Sequence, residues 1–385
     1  MAHCNTIFHQ MLKIIPRHHF SRLEQDHGTG RQARSFSRWN QLVHLIFMQL
    51  TGRASLRDGV ASLKARFNSL YHLGAQSVAR STFADANNRR PASFFEALFA
   101  MMYRRCQPLA PKHKFKFKNK LYSLDATVVS LCLSLFPWAS FRRTKAGLKL
   151  HTLLDHDGYL PAFVAVSPAR EHEVKKARTL NLPKGSIVVE DLGYADYSWY
   201  GQLTAQKTFF VTRQKRNAVY EVVERRTVNK AQGLISDQTI RLTGVKAMEC
   251  PFPLRRIAYR DPATSKRYVF LTNHFKLSAK TIADIYKERW QIEIFFRWIK
   301  QNLKIKAFIG NSENAVLTQI YAALIVYLLL CYLKFLCNLG ITLQYFMRLL
   351  QLNLFRTCTF KELLEPPGSI PKYNCNSNQL TLALD

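Results

Sequence analysis

From about residue 120 the apolar pattern of this 385-residue chain changes from helical spacing to short β-rich runs, and the order of elements that follows narrows the fold more than any other feature. KLYSLDATVV, LKLHTLLD and YLPAFVAVS are rich in β-branched and aromatic residues and are separated by Gly-containing turns. The spacing then predicts a short helix over 171–180, a compact buried strand in SIVVE, a helix over 195–206 and a strand in TFFVT. From about 213 to 273 the runs are mostly β: AVYEVVERRTV, QTIRLTG, LRRIAYR and RYVFLTN. A long helix opens at Ser278, whose hydroxyl suits an N-cap. The order βββαβα, a β-rich block, then helices describes an α/β domain interrupted by an insertion.

Residues 1–110 read as helical. Segments 5–15 and 38–50 show helical apolar spacing and are joined through a polar, Gly-containing linker at 27–37. SLRDGVASLKARF, a break at 71–75 and a basic helix over 77–90, stopped by Pro91, follow. That helix carries Arg80, Arg89 and Arg90. The unit is either helix-turn-helix-like and DNA-binding, or a bundle with a solvated basic face. In 112–120, KHKFKFKNK, cations alternate with phenylalanines. This reads either as a strand against a phosphate backbone or as a lysine-protected edge strand, and it marks a domain boundary. The uncharged run 315–333 is long enough to span a membrane, yet it contains Thr318, Gln319, Tyr321, Tyr327 and Tyr332, and a central core helix is expected. The expected division is an all-α domain over 1–115, an α/β core over 116–212 and 276–345, a β-rich insertion over 213–275, and a C-terminal helix with a loose tail over 346–385.

Lys and Arg number 56 against 25 Asp and Glu, a formal charge of +31 that opposes compaction until a polyanion neutralises it. Nucleic acid is the expected partner, ahead of an anionic membrane surface. The first 120 residues hold 20 of the cations and 5 of the acids, so the N-terminal third is the densest basic region. Eight cysteines without C-x-x-C spacing indicate reduced thiols in a cytosolic protein and argue against a structural zinc site. The first fifteen residues lack a signal-peptide pattern. The histidines show no ligand or triad spacing, and no Ser or Cys nucleophile has a base beside it.

Chemistry concentrates in YKERWQIEIFFRWIK. On a helix Tyr286, Arg289, Glu293, Arg297 and Lys300 fall within about 80° of one another, one carboxylate among three cations and a phenol. Trp290, Ile292, Ile294, Phe295, Phe296, Trp298 and Ile299 make the other sides of the helix read as buried. The stripe is either an i,i+4 ion-pair ladder or part of a site for metal and phosphate. Two further acids sit on core strands, Asp125 inside the first and Asp191 at the end of SIVVE. With Glu293 they form a trio on three separate core elements, suited to two Mg²⁺ ions that need hard oxygen ligands and room for phosphate. Asp155, Asp157, Glu190 and Asp196 are competitors of the same type.

The spacing Tyr286, Arg289, Glu293, Lys300 resembles the Tyr-Arg-Glu-Lys signature of a large group of bacterial insertion-sequence transposases with a DDE triad. Asp125-Ala-Thr127 is similar to the first aspartate element of that group. Asp191-Leu-Gly-Tyr194 is similar to the second, with Leu192 where a basic residue is common. The 102-residue gap from Asp191 to Glu293 resembles the subgroup whose ribonuclease H-like core carries a β-strand insertion. LTGRASLRDG resembles part of the small domain that precedes the core in one branch. The resemblance implies that Asp125, Asp191 and Glu293 are catalytic and hold Mg²⁺, with Mn²⁺ as a substitute. It assigns Tyr286, Arg289 and Lys300 to phosphates near the cut, with Arg297, Arg142, Arg143, Lys145 and Lys149 as further DNA contacts. Insertions of this kind can present a tryptophan to a flipped base. No Trp lies between 200 and 289 here, and Phe252, Tyr259 and Tyr268 are possible substitutes. The implied function is cutting DNA at the ends of an insertion sequence and joining 3′ ends to a target, as a homodimer on DNA in the bacterial cytoplasm. A DNA-binding relic without catalysis and a hydrolytic nuclease of the same fold are the alternatives.

Overall fold

The structure, a computed structural model, describes residues 5–28, 36–142 and 145–364. The loose tail expected beyond Pro366 lies outside these residues. The N-terminal part contains helices α1 (Ile7–Leu12), α2 (Arg17–Asp26), α3 (Arg38–Thr51), α4 (Leu56–Lys64), α5 (Phe67–His72), α6 (Arg80–Arg89) and α7 (Ser93–Cys106). Local chemistry sets several boundaries. The hydroxyl of Ser37 accepts from the Asn40 amide to open α3, and that of Ser55 accepts from the Asp58 amide to open α4. The helix expected over 77–90 is α6, stopped by Pro91. Helix α2 lies where the spacing predicts nothing, because Phe20 is its only buried residue.

The core follows as β1 (Leu121–Leu131), β2 (Ser140–Arg142), β3 (Lys145–Asp155), β4 (Leu160–Pro168), α8 (Glu173–Ala177), β5 (Ile187–Glu190), α9 (Tyr197–Ala205) and β6 (Phe209–Arg213). Then come β7 (Tyr220–Arg226), β8 (Leu234–Leu242), β9 (Leu254–Arg260) and β10 (Arg267–Thr272). Helices α10 (Ala279–Glu288), α11 (Trp290–Asn302), α12 (Glu313–Leu336), α13 (Leu343–Asn353) and α14 (Phe360–Leu364) close the chain.

Strands run in the order β3-β1-β5-β6, with β4 on β3. β3 is antiparallel to β1 and β4, while β1, β5 and β6 are mutually parallel. That order and polarity are those of a ribonuclease H-like core. The strands of residues 220–272 continue the same sheet as β6-β10-β9-β8-β7. Alternation explains the layers. Val188 of β5 and Phe210 of β6 face Trp199, Tyr200 and Leu203 of α9, whereas Ile187, Val189 and Val211 face Ile282 and Ile285 of α10.

Residues 112–120 form no strand, contrary to both readings of KHKFKFKNK. Carboxylates at the end of β3 and in the β3–β4 turn hold the segment instead. Lys120 Nζ lies 2.8 Å from Asp155 Oδ2 and 2.7 Å from Asp157 Oδ2, and the His113 amide donates to Asp157 Oδ1 at 2.9 Å. Phe115 and Phe117 stack at 5.2 Å and turn inward. The segment is a strap across the end of the sheet. The apolar run 315–333 lies in α12, enclosed on nearly all sides. One continuous apolar cluster joins α1, α3, α6 and α7 through α12 to β3 and β4.

Candidate active site

Register brings the two aspartates together. Leu124 of β1 pairs with Glu190 of β5, so Asp125 and Asp191 are adjacent positions on parallel neighbours. Asp125 Oδ1 accepts from the Ala126 amide at 2.7 Å. Asp191 opens a 3-10 turn over 192–194. A Cβ on Gly193 would come within 2.8 Å of Glu173 Oε2, so a side chain there would displace that carboxylate.

Serine capping opens α10 as expected, Ser278 Oγ accepting from the Thr281 amide at 3.1 Å. The single long helix expected from there is broken at Arg289, which separates α10 from α11. Ile292, Phe295, Phe296 and Ile299 of α11 are buried, but Trp290 is 51% exposed and Ile294 43%, so the motif helix is less enclosed than its sequence suggests. Arg289 keeps right-handed helical angles at this junction (φ −50°, ψ −31°) and points between two carboxylates. Its Nη1 lies 2.9 Å from Asp125 Oδ2 and its Nη2 2.8 Å from Glu293 Oε1. Tyr286 Oη donates to Asp191 Oδ1 at 3.2 Å. Lys300 Nζ donates to the Val128 carbonyl at 2.9 Å and to Thr127 Oγ1 at 2.5 Å. Three of the four motif residues therefore meet the elements that carry Asp125 and Asp191, and Glu293 joins them through Arg289.

Burial pushes the Asp125 carboxyl up to about 6, against its amide hydrogen bond and Arg289, while Asp191 and Glu173 add to the rise. Burial and Asp191 push the Tyr286 phenol up to about 12. Burial opposes the charge of Arg289, but Asp125, Tyr286 and Asp191 reverse the balance and raise its pKa. Burial lowers that of Lys300, with Lys306 adding to the effect.

Among the described residues, no three His, Cys, Asp or Glu side chains are gathered closely enough to hold a metal ion. Arg289 bridges Asp125 and Glu293 as a cation in their midst, and its Nε is buried without an acceptor. Oxygen donors around a positive centre fit a hard divalent ion. The four competing acids are engaged elsewhere. Asp155 and Asp157 hold Lys120. Asp196 caps α9 and pairs with Arg178 at 2.6 Å. Glu190 is fully buried, accepts from Trp199 Nε1 at 2.9 Å and is pushed up to about 8 by burial.

The remaining cations are scattered. Lys149 Nζ pairs with Glu173 Oε1 at 3.2 Å. Arg297 is exposed on α11. Arg80 lines a groove with Arg57 and Phe308, and Arg89 pairs with Asp85 at 2.7 Å. Arg90 points inward, donating to Gln41 Oε1 at 3.2 Å and to the Phe36 carbonyl. Arg142 and Lys145 lie on β2 and β3 with side chains outside the described set, and Arg143 lies outside the described residues.

Beside Tyr286 and Arg289 opens a cleft of about 370 Å³, lined among others by Arg213, Tyr259, Tyr268, Lys287 and Trp290. Two of the aromatic substitutes named from sequence thus line the cleft. The third, Phe252, packs on the opposite face of the sheet. Trp290 reads as buried in the sequence because its neighbours are apolar, yet it is exposed and stands only about 60° from Glu293 around the helix.

Residues 116–329, more than half of the chain, match the family described as Transposase DDE domain. Residues 3–76 match a domain of unknown function (DUF4372). The putative transposase y4zB of Sinorhizobium fredii (strain NBRC 101917 / NGR234) is 33% identical over 314 residues, covering 80% of this chain and 87% of that protein. The probable transposase for insertion sequence element IS5377 of Geobacillus stearothermophilus is 28% identical over 333 residues, covering 85% of each chain. The putative transposase for insertion sequence element IS4SA of Synechocystis sp. (strain ATCC 27184 / PCC 6803 / Kazusa) is 27% identical over 309 residues, covering 77% of this chain and 83% of that protein. The strand order, the aspartates on β1 and after β5, and these matches agree: the chain belongs to the DDE transposases of bacterial insertion sequences.

Proposed function

We propose that Asp125, Asp191 and Glu293 are the catalytic carboxylates of this transposase, and that it belongs to the Tyr-Arg-Glu-Lys subgroup with a β-strand insertion. The observation that carries the reading is the guanidinium of Arg289 held between Asp125 and Glu293, with Tyr286 on Asp191. Enzymes built on this domain generally use divalent ions; Mg²⁺, with Mn²⁺ as a substitute, is the ion proposed here. Bound at these carboxylates, the ions would activate the attacking oxygen and stabilise the leaving one. Asp125 must lose its proton before it can act as a ligand. Arg289 turns to a DNA phosphate, and Tyr286 and Lys300 fix the strand beside the cut. The products are 3′-OH ends, which the same site joins to target DNA.

The cleft of Tyr259, Tyr268 and Trp290 supports a second element of the reading, a base turned out of the duplex and stacked on these rings. Arg80, Arg89 and the helical region 1–115 add phosphate contacts, and two protomers act on two DNA ends in the cytoplasm.

The test is cleavage of duplex DNA bearing the element's ends with Mg²⁺. Asp125→Asn, Asp191→Asn and Glu293→Gln are each expected to abolish cutting and leave DNA binding intact. Retained cutting in any of the three removes that residue from the assignment. Nicking without strand transfer by the unaltered protein favours the hydrolytic nuclease.

A further inference from the structure

Glu288 closes α10 one residue before Arg289 and is 6% exposed. A carboxylate at a helix C-terminus opposes the helix dipole, and burial adds a desolvation cost. Its partners offset both. Tyr159 Oη donates to Glu288 Oε1 at 2.9 Å, and Lys114 of the strap pairs with Oε2. Burial favours the acid form, but Lys114 and Tyr159 hold the group below its ordinary pKa, as a carboxylate.

Tyr159 is itself fixed. It sits in the β3–β4 turn at φ +54°, a left-handed conformation unfavourable to a bulky side chain, directly after Gly158 at φ +69°. Its carbonyl accepts from Tyr327 Oη of α12 at 3.1 Å. The His156 ring packs against it at 5.7 Å and shares a 2.7 Å hydrogen bond with Ser123 of β1. Glu288 is thus anchored to the central helix and, through His156, to the strand that carries Asp125. No Gly or Pro in KERWQ accounts for the helix break that follows.

We propose that Glu288 is a positioning residue: pinned to Tyr159 and Lys114, it sets the α10–α11 junction and thereby aims Arg289 at Asp125 and Glu293. The proposal rests on the reading of Arg289 given above. Glu288 touches none of the reacting groups and acts through its neighbour.

The experiment compares Tyr159→Phe, Glu288→Gln, Glu288→Ala and Arg289→Ala, and Glu288→Ala combined with Arg289→Ala, in the full-length protein. Cleavage kcat, KM for end DNA and thermal midpoint are measured. Misalignment by about an ångström is expected to lower kcat by roughly 10- to 100-fold in Glu288→Ala, with KM little changed. Tyr159→Phe, the mildest change, lowers kcat in the same direction, and Glu288→Gln, which keeps the Tyr159 hydrogen bond, restores part of it. The double variant cuts no more slowly than Arg289→Ala alone, because Glu288 has no other route to the chemistry. A further additive loss overturns the proposal, as does unaltered kcat in both Tyr159→Phe and Glu288→Gln while Arg289→Ala is slowed. Full activity of Arg289→Ala overturns the underlying reading of Arg289 and the proposal with it. If Glu288→Ala does not fold, Tyr159→Phe and Glu288→Gln decide the matter.

Discussion

Arg289 holds Asp125 and Glu293 at 2.9 and 2.8 Å, so a divalent ion that takes those oxygens must first displace the guanidinium. Charge-assisted hydrogen bonds of this kind contribute about 1.5–3 kcal/mol each. Without DNA to receive the side chain, Arg289→Ala is therefore expected to bind Mn²⁺ about 10-fold or more tightly than the unaltered protein, even though it cuts more slowly. Electron paramagnetic resonance of free Mn²⁺ measures this directly, and weaker binding by the variant would show that Arg289 builds the site rather than guarding it. The stripe of Tyr286, Arg289, Glu293 and Lys300 could be read from sequence because helical periodicity alone groups these residues. Trp290 could not be read, since its exposure depends on which neighbours pack against α11.

Between strands β8 and β9, Asp237 and Arg255 form a buried bidentate pair, Nη2 to Oδ2 at 2.6 Å and Nε to Oδ1 at 2.9 Å. Both side chains are 5% exposed. Arg255 Nη1 also donates to the carbonyls of His274 at 3.2 Å and Leu277 at 2.6 Å, which lead into α10. The pair ties the inserted strands to the helix that carries Tyr286. Removing one partner leaves a buried charge, so Asp237→Ala should cost about 3–5 kcal/mol in urea unfolding. A joint Asp237→Leu, Arg255→Met variant should cost less than that. Equal losses in the two would mean that the pair adds no electrostatic constraint. At this scale the order of strands was legible because most lie between two apolar layers, as in SIVVE. Residues 112–120 deceived the pattern: alternation there reflects inward phenylalanines and lysines at the ends held by Asp155 and Asp157, not a ladder. The interruption at Arg289 was invisible because KERWQ holds no Gly or Pro to signal it.

Across the whole molecule, His44, His151, His156 and His274 are each at most 4% exposed, and burial holds each down to about 4. The unfolded chain takes up these protons near the ordinary value of 6.5 and the folded chain near 4. Stability from these groups is thus complete above about pH 6.5 and is lost as pH falls toward 4. With four groups acting together, the loss should approach about 5 kcal/mol per pH unit at its steepest. Urea unfolding at pH 7, 6 and 5 tests it, and a flat profile would mean that some of these rings charge within the fold. None of this was legible in sequence, where a histidine's surroundings are unknown.

The cluster that joins α1, α3, α6 and α7 to α12 also dictates an assembly schedule. Helix α3 is enclosed almost entirely, and much of its enclosure comes from a segment made some 270 residues later. At ordinary synthesis rates that interval is on the order of tens of seconds, during which the first helices lack their partner and expose apolar faces. The protein therefore cannot mature from its beginning onward; its first third waits for its last fifth. Chains ended before α12 should be found insoluble or degraded rather than as folded fragments that compete for DNA. Expression of residues 1–300, followed by fractionation, would reveal that difference. For a mobile element, such construction means that truncated copies of the reading frame yield no soluble rival to the intact enzyme.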